Sequence, residues 1–298
     1  MLDIITLGHI IYDIRCYVEN FPRPDKTSFM QTSIQTGGGG SAANVAADAV
    51  LLGHRAGVIG NVGSDREGAF LLQDLLQAGV DISHVRVKRG RSGMSIVIVD
   101  KNADVEVVEM LGVSEPVEEV DLDYIAQARF LHMTGCNLDA LRTASTVAKR
   151  GVAVSFDPGR GKAHLGEKKL SPILKNTDYL FVNRHELGAL TGEHNLRKAA
   201  RALAKKFHLT VFIKCGADPV VVVEPGGTAF ESEQWDVRPV DTIGAGDAFA
   251  AGVLCALAEG KRLASAVRFG NAVAAAKILH RGARLSTRRK EIEKKFGV

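Results

Sequence analysis

The stretch Asp241-Thr242-Ile243-Gly244-Ala245-Gly246-Asp247 joins a glycine-loosened turn to a carboxylate at the head of the apolar run Ala248-Phe249-Ala250-Ala251-Gly252-Val253-Leu254. That run predicts a helix. Its first turn leaves backbone N–H groups unpaired at the positive end of the helix dipole, so it can hold an anion. Glycines let the backbone approach a phosphate closely. A carboxylate beside an anion site is out of place unless it handles a proton. The plainer use of Asp247 is as a helix cap.

Two further sets of residues could bear chemistry. Gly37-Gly38-Gly39-Gly40-Ser41 precedes a predicted helix beginning near Ala42. Alone it reads as a flexible turn, but Ser41 and Asn44 put donors and acceptors on that helix's first turn, suited to gripping hydroxyls. Asp13, just after the first strand, lies at the same edge and reads equally as a turn residue. Asn183-Arg184-His185-Glu186 follows a short apolar run. Asn183 and Glu186, three apart at a helix start, face the same way. They suit the water shell of Mg²⁺, a hard cation that takes oxygen ligands. They equally suit a cap, with Asn183 at the N-cap and Glu186 at N3.

Elements must place these groups together. Leu2–Leu7 is a short apolar run and reads as a buried first strand. From residue 55 strand and helix alternate, starting with Ala56–Gly60 and Phe70–Gln77. Further strands are expected at Phe130–Met133, Val152–Phe156, Tyr179–Val182 and Val211–Lys214, separated by helical stretches such as 138–150 and 195–207. Short apolar runs alternating with helices predict a largely parallel sheet covered on both faces. Val220–Val223 and Thr228–Phe230 form a late hairpin, and the chain beyond 244 reads as helical. Residues 93–99 and 105–109 form another hairpin. The strand-rich stretches 10–36 and 91–112 do not fit the βα rhythm. They are read as exposed strands outside the main core, making a small sheet over the carboxyl edge of the large one, where ligands of such folds bind. The expected organisation is one α/β domain over 1–298 with this sheet as a lid.

Composition sets limits. With 298 residues, 46% of them hydrophobic and 24% charged, the chain has ordinary globular make-up. A net charge of +4 is too weak to imply a nucleic-acid or membrane partner. The basic tail after Arg281 is broken by Glu291 and Glu293 and reads as a solvated helix face. No apolar run is long enough to span a membrane, and the N-terminus lacks a signal-peptide layout. Cys16, Cys136, Cys215 and Cys255 are too scattered for a local zinc site or disulfide framework, so a reducing, cytoplasmic setting is the default.

Taken together, three motifs resemble one family. Gly39-Gly40-Ser41-Ala42-Ala43-Asn44 looks like the N-terminal signature of the ribokinase-like (phosphofructokinase B type) carbohydrate kinases, and Asp241 to Asp247 like their C-terminal signature. Asn183-x-x-Glu186 is similar to their metal and phosphate motif. The likeness keeps order and spacing over essentially the whole chain. It implies a three-layer α/β/α fold and transfer of the γ-phosphate of ATP, or another nucleotide, to a hydroxyl of a sugar or nucleoside. Asp247 would be the base, and the N–H groups of Gly244, Ala245 and Gly246 the anion hole. So close to a helix N-terminus, Asp247 is expected to have a low pKa. Asp13, Gly39, Gly40, Ser41 and Asn44 would hold the acceptor. Asn183 and Glu186 would hold hydrated Mg²⁺, and Lys214, Gly216 and Asn271 would line the nucleotide site. A K⁺-type monovalent cation would be held by Asp241, the carbonyls of Ile243 and Gly282, and Ser286. Lids of this family often pair between subunits, which implies a homodimer.

Departures narrow the acceptor. Ribokinase has Lys where this chain has Ser41 and Asn where it has Ile11, which argues against free ribose. Pro219 replaces a usual loop glycine, and Ile243 a common Thr. Gly8-His9, Phe21-Pro22 and Ser155-Phe156-Asp157-Pro158-Gly159 look more like archaeal-type nucleoside kinases of the family. Arg160 could meet a phosphate or carboxylate on an acidic sugar, or be a solvated loop residue. The alternatives are a kinase of a sugar phosphate or acidic sugar, and a non-catalytic sugar or nucleoside sensor. A dehydrogenase is disfavoured, because no G-x-G-x-x-G follows the first strand.

Overall fold

The computed structural model describes all residues 1–298. In chain order, β1 (Leu2–Leu7) is followed by β2 (Ile11–Tyr17), β3 (Gln35–Gly39), α1 (Ser41–Leu51), β4 (Ala56–Gly63), α2 (Arg66–Gln77) and β5 (Val85–Lys88). Next come β6 (Gly93–Val99), β7 (Val105–Met110), α3 (Leu122–Ile125), β8 (Ala128–Thr134), α4 (Leu138–Ser145) and β9 (Ala153–Asp157). The chain continues through α5 (Gly159–Ala163), α6 (Gly166–Leu174), β10 (Tyr179–Asn183), α7 (Arg184–Thr191), α8 (Leu196–Phe207) and β11 (Thr210–Lys214). It ends with β12 (Val220–Val223), β13 (Ala229–Ser232), α9 (Ala245–Ala258), α10 (Leu263–Ile278) and α11 (Arg289–Phe296).

Nine strands form one sheet in the order β13-β12-β11-β10-β9-β8-β1-β4-β5, parallel except for β12 and β13. Neighbouring side chains on each strand enter opposite cores: Ile4, Phe130, Phe181 and Phe212 one, Ile5, Leu131, Leu180 and Val211 the other. The two cores hold 39 and 33 buried residues, so both faces are covered and the strands read as unbroken apolar runs. From β1 the chain moves outward to β4 and β5, then returns to place β8 on the other side of β1. This reversal makes a crevice at the carboxyl ends of the strands.

A second sheet, in the order β3-β2-β6-β7, stands over that edge as the expected lid. Two expectations change here. The lid is not simply exposed: β2 buries every second residue, including Asp13. Gly37 to Gly39 are strand rather than flexible turn, opposite Asp13, Tyr12 and Ile11 of β2. Side-chain ends crowd this strand so closely that any Cβ here would force them to move. A Cβ on Gly39 would stand 2.1 Å from Asp13 Oδ2, and one on Gly37 2.3 Å from Arg15 Nη2. The stretch 138–150 is also not one helix: α4 gives way to a 3₁₀ turn over Thr146–Arg150.

Candidate active site

The lid and the carboxyl ends of the large sheet enclose a cleft of about 700 Å³. At its floor α9 begins at Ala245, with Gly244 at the N-cap and no side chain capping it. Gly244 takes a left-handed φ of 73°, and a Cβ there would meet the Ala283 carbonyl oxygen at 1.8 Å. The turn can therefore close only around glycine. The Ala245 N–H is not free, since it donates to the Thr242 carbonyl at 3.2 Å. That corrects the expected hole: the N–H groups of Gly244, Gly246 and Asp247 are the ones left without a protein acceptor.

Asp247 faces this floor. Its Oδ2 accepts from Asn44 Nδ2 at 2.8 Å, so this carboxylate is aimed by α1, not by its own helix. Part of its surface opens to the cleft while protein packs densely around the rest. The expected low pKa is overturned. Burial, followed by the negative charge of Asp157, outweighs the hydrogen bonds from Asn44 and Ser41 and the nearby Lys214, and raises it to about 6. A carboxylate that titrates there is a better proton acceptor than an ordinary surface aspartate.

On the lid side Asp13 is buried and accepts from Ser95 Oγ at 2.6 Å. Desolvation lifts its pKa, against the hydrogen bond from Ser95 and the charge of Arg15. Asp13, Gly40, Ser41 and Asn44 all line the cleft, whereas Gly39 sits behind Asp13 as its backing. Arg284 Nε donates to Asn44 Oδ1 at 3.3 Å and fixes the orientation of that amide. Arg160 lines the cleft, is exposed and has no ion-pair partner. Close by, Glu115 accepts from Lys162 Nζ at 3.1 Å and pairs with His9 at 2.8 Å.

At the other end, Lys214 Nζ donates to Asp157 Oδ2 at 2.6 Å. Burial works against this ammonium, but Asp157 and Glu186 outweigh it and hold its pKa above the ordinary value. A Cβ added at Gly246 would lie 3.2 Å from Lys214 Nζ, so the ammonium stands over the first turn of α9. Gly216 lines the same end of the cleft. Asn183 and Glu186 make the full capping box: Asn183 Oδ1 accepts from Glu186 N at 2.9 Å, and Glu186 Oε2 from Asn183 N at 2.8 Å. The cap leaves the other Glu186 oxygen without a protein donor, on a buried carboxylate whose pKa is raised by desolvation and by Asp157. No cluster of three or more His, Cys, Asp or Glu could hold a bare metal. A hydrated Mg²⁺ carried mainly by waters and nucleotide phosphates fits what is present.

One expected placement does not hold. Asn271 does not reach the cleft. It is fully buried and donates to the Ser232 and Glu233 carbonyls at 3.3 and 3.0 Å, so it anchors the end of β13. Of the expected cation ligands, Ile243 and Gly282 lie against Asp241, but through their N–H groups. Ser286 is exposed while Asp241 is fully buried, and the Asp241 carboxylate is occupied by other groups. Its Oδ1 accepts from Ile243 N at 2.9 Å, and its Oδ2 from Tyr17 Oη at 2.8 Å and Gly282 N at 2.9 Å. Sequence reading gave Asp157 no site role of its own, took Arg284 as part of a solvated tail and passed over Lys277. Asp157 at a strand end before Pro158-Gly159, and a lone lysine within the apolar run Ala272–Ile278, were the available signals.

The profile of the pfkB family of carbohydrate kinases matches residues 1–290. An ATP-dependent ribose-1-phosphate kinase from Halopiger xanaduensis is 37% identical over 95% of this chain and 94% of its own length. A ribokinase from Haemophilus influenzae is 32% identical, covering 97% and 96%. The solved structure of an Arabidopsis thaliana ribokinase complexed with ribose and ATP superposes with a TM-score of 0.85 at 24% identity. It covers 100% of this chain and 99% of that one.

Proposed function

This chain belongs to the pfkB family of carbohydrate kinases, and from that premise we propose that it phosphorylates a hydroxyl of a pentose already carrying an anionic group, of the ribose 1-phosphate class. The observation that carries the chemistry is the Asn44–Asp247 pair at 2.8 Å, set beside amides with no acceptor at the head of α9. The acceptor hydroxyl gives its proton to Asp247 as its oxygen bonds to the γ-phosphorus. The bond from that phosphorus to the β–γ bridging oxygen breaks, and ADP leaves. The N–H groups of Gly244, Gly246 and Asp247, with the Lys214 ammonium, meet the charge on the transferred group. Mg²⁺, held through water near Glu186 and Asn183, would offset charge on the nucleotide phosphates.

The anionic acceptor is supported by Arg160, an unpaired guanidinium among the cleft residues, which suits bidentate binding of a phosphate. It is also supported by the likeness to the ribose-1-phosphate kinase. Ile11 and Ser41, where ribokinase has polar and charged side chains, favour the same reading over free ribose. A panel of ribose, ribose 1-phosphate, fructose, inosine, adenosine and cytidine with ATP and Mg²⁺ tests this, ranked by kcat/KM. Ribose 1-phosphate should lead ribose by at least about tenfold, a gap of about 1.4 kcal/mol in transition-state binding. Arg160→Ala should close most of that gap. A nucleoside or free ribose at the head of the ranking would contradict the assignment.

A further inference from the structure

The buried carboxylate of Asp241 opens the catalytic signature, and its surroundings are unusual. Three neutral donors, from Ile243 N, Tyr17 Oη and Gly282 N, organise its oxygens without neutralising its charge. The neutralising group comes from the last turn of α10. Lys277 is fully buried, its Nζ donates to the Asp241 carbonyl at 2.8 Å, and it stands 4.0 Å from Asp241 Oδ1. The other charges acting on this ammonium are Asp48 on α1, Asp247 on α9 and Arg15 on β2. Burial pulls the Lys277 pKa down to about 8 against the attraction of Asp241, Asp48 and Asp247, with Arg15 adding to the fall; of these carboxylates Asp241 is the one within 4.0 Å of Nζ. Around Asp241, Ile243 and Gly282 present N–H donors rather than oxygen ligands, so a monovalent metal ion there would compete with three donors for the carboxylate. An ammonium is a compact point charge with rotatable donors on a flexible stem, which suits it to an ion's place.

We propose that the Lys277 ammonium is a built-in cation for the 241–247 loop, filling the role expected of a monovalent metal ion, so that phosphoryl transfer runs without K⁺. Lys277 is a positioning residue. It fixes the Asp241 main chain and, through the loop, the Thr242 carbonyl onto which the Ala245 N–H closes, and hence the amides that precede Asp247. The loop is thereby held in its anion-binding shape before nucleotide arrives, and no cation site has to fill first.

The inference uses the kinase reading but not the identity of the acceptor, and two readouts keep the failures apart. In the first, turnover of whichever acceptor leads the panel is measured in tetramethylammonium buffer and again with KCl or NaCl at constant ionic strength. The expected rates agree within about twofold; saturable, several-fold activation by K⁺ would overturn the proposal. In the second, the melting temperature of nucleotide-free protein is compared in K⁺ and in tetramethylammonium, with no difference expected and a K⁺-specific rise counting against it. Lys277→Met, which keeps length and loses charge, should lower kcat at least tenfold with ATP affinity nearly unchanged. Ammonium or methylammonium ions should partly restore it. A fully active Lys277→Met protein in tetramethylammonium would overturn the proposal. Should that variant not fold, the two wild-type comparisons still decide.

Discussion

Asp247 shows how far local reasoning goes at the scale of one residue. The helix dipole argues for a low pKa, and that argument is sound for a first-turn carboxylate in water. Here desolvation and the charge of Asp157 prevail and carry the group to about 6. Asp157 comes from a strand end far away in sequence, which is why the sign was not legible from the motif. The consequence can be measured. As a base, Asp247 must be unprotonated, so kcat/KM for the acceptor should fall with pH below about 6, approaching tenfold per unit. A profile flat from pH 5 to pH 7 would contradict this. Gly244-Ala245-Gly246-Asp247 alone left Asp247 open between a base and a helix cap; only together with Gly39–Asn44 and Asn183/Glu186 did the sequence single it out as the candidate base.

At the scale of the element, the site depends on how closely β2, β3 and the signature loop approach one another. Tyr17 of β2 donates to Asp241, and Thr242 Oγ1 donates to the Ala103 carbonyl in the β6–β7 turn at 2.8 Å. Ile243 packs on the lid cluster of Tyr17, Val97 and Val99. The lid is therefore tied to the anion-binding loop and not only to the acceptor. Gly39→Ala tests the closeness of β3 to β2, because its Cβ would collide with the Asp13 carboxylate. We expect acceptor KM to rise at least tenfold, with ATP binding little changed. An unaltered KM would mean that Asp13 does not touch the acceptor. Most strands of the large sheet were legible because burial on both faces makes continuous apolar runs. The strand at Gly37–Gly39 was not, since glycines carry no periodicity and their reason lies in Asp13 and Arg15 on the paired β2 and in Asp74 and Arg284 packed beside Gly38. Asn271 misled in the opposite way: an asparagine in a helix has no local mark telling a buried anchor from a ligand contact.

At the scale of the whole molecule, strand alternation gives the lid two faces. Ile11, Asp13, Ser95, Val97, Val107 and Glu109 look into the cleft. On the other face, Met94 pairs with Met110 and Ile96 with Val108, leaving an apolar patch on which Val108 is 68% exposed. An apolar sheet face of this kind favours association. We expect a homodimer through it by light scattering, converted to monomer by Val108→Lys; a monomeric wild-type chain at micromolar concentration would contradict this. No helix is long and apolar enough to cross a membrane. The large sheet, the lid and the tail helices converge on one carboxylate, and the most direct test is made there. Asp247→Asn keeps size and polarity, and its kcat with ATP and the leading acceptor should fall about 10²–10⁴-fold while calorimetric ATP affinity stays close to wild type. Turnover within a few-fold of wild type would mean that Asp247 is not the base.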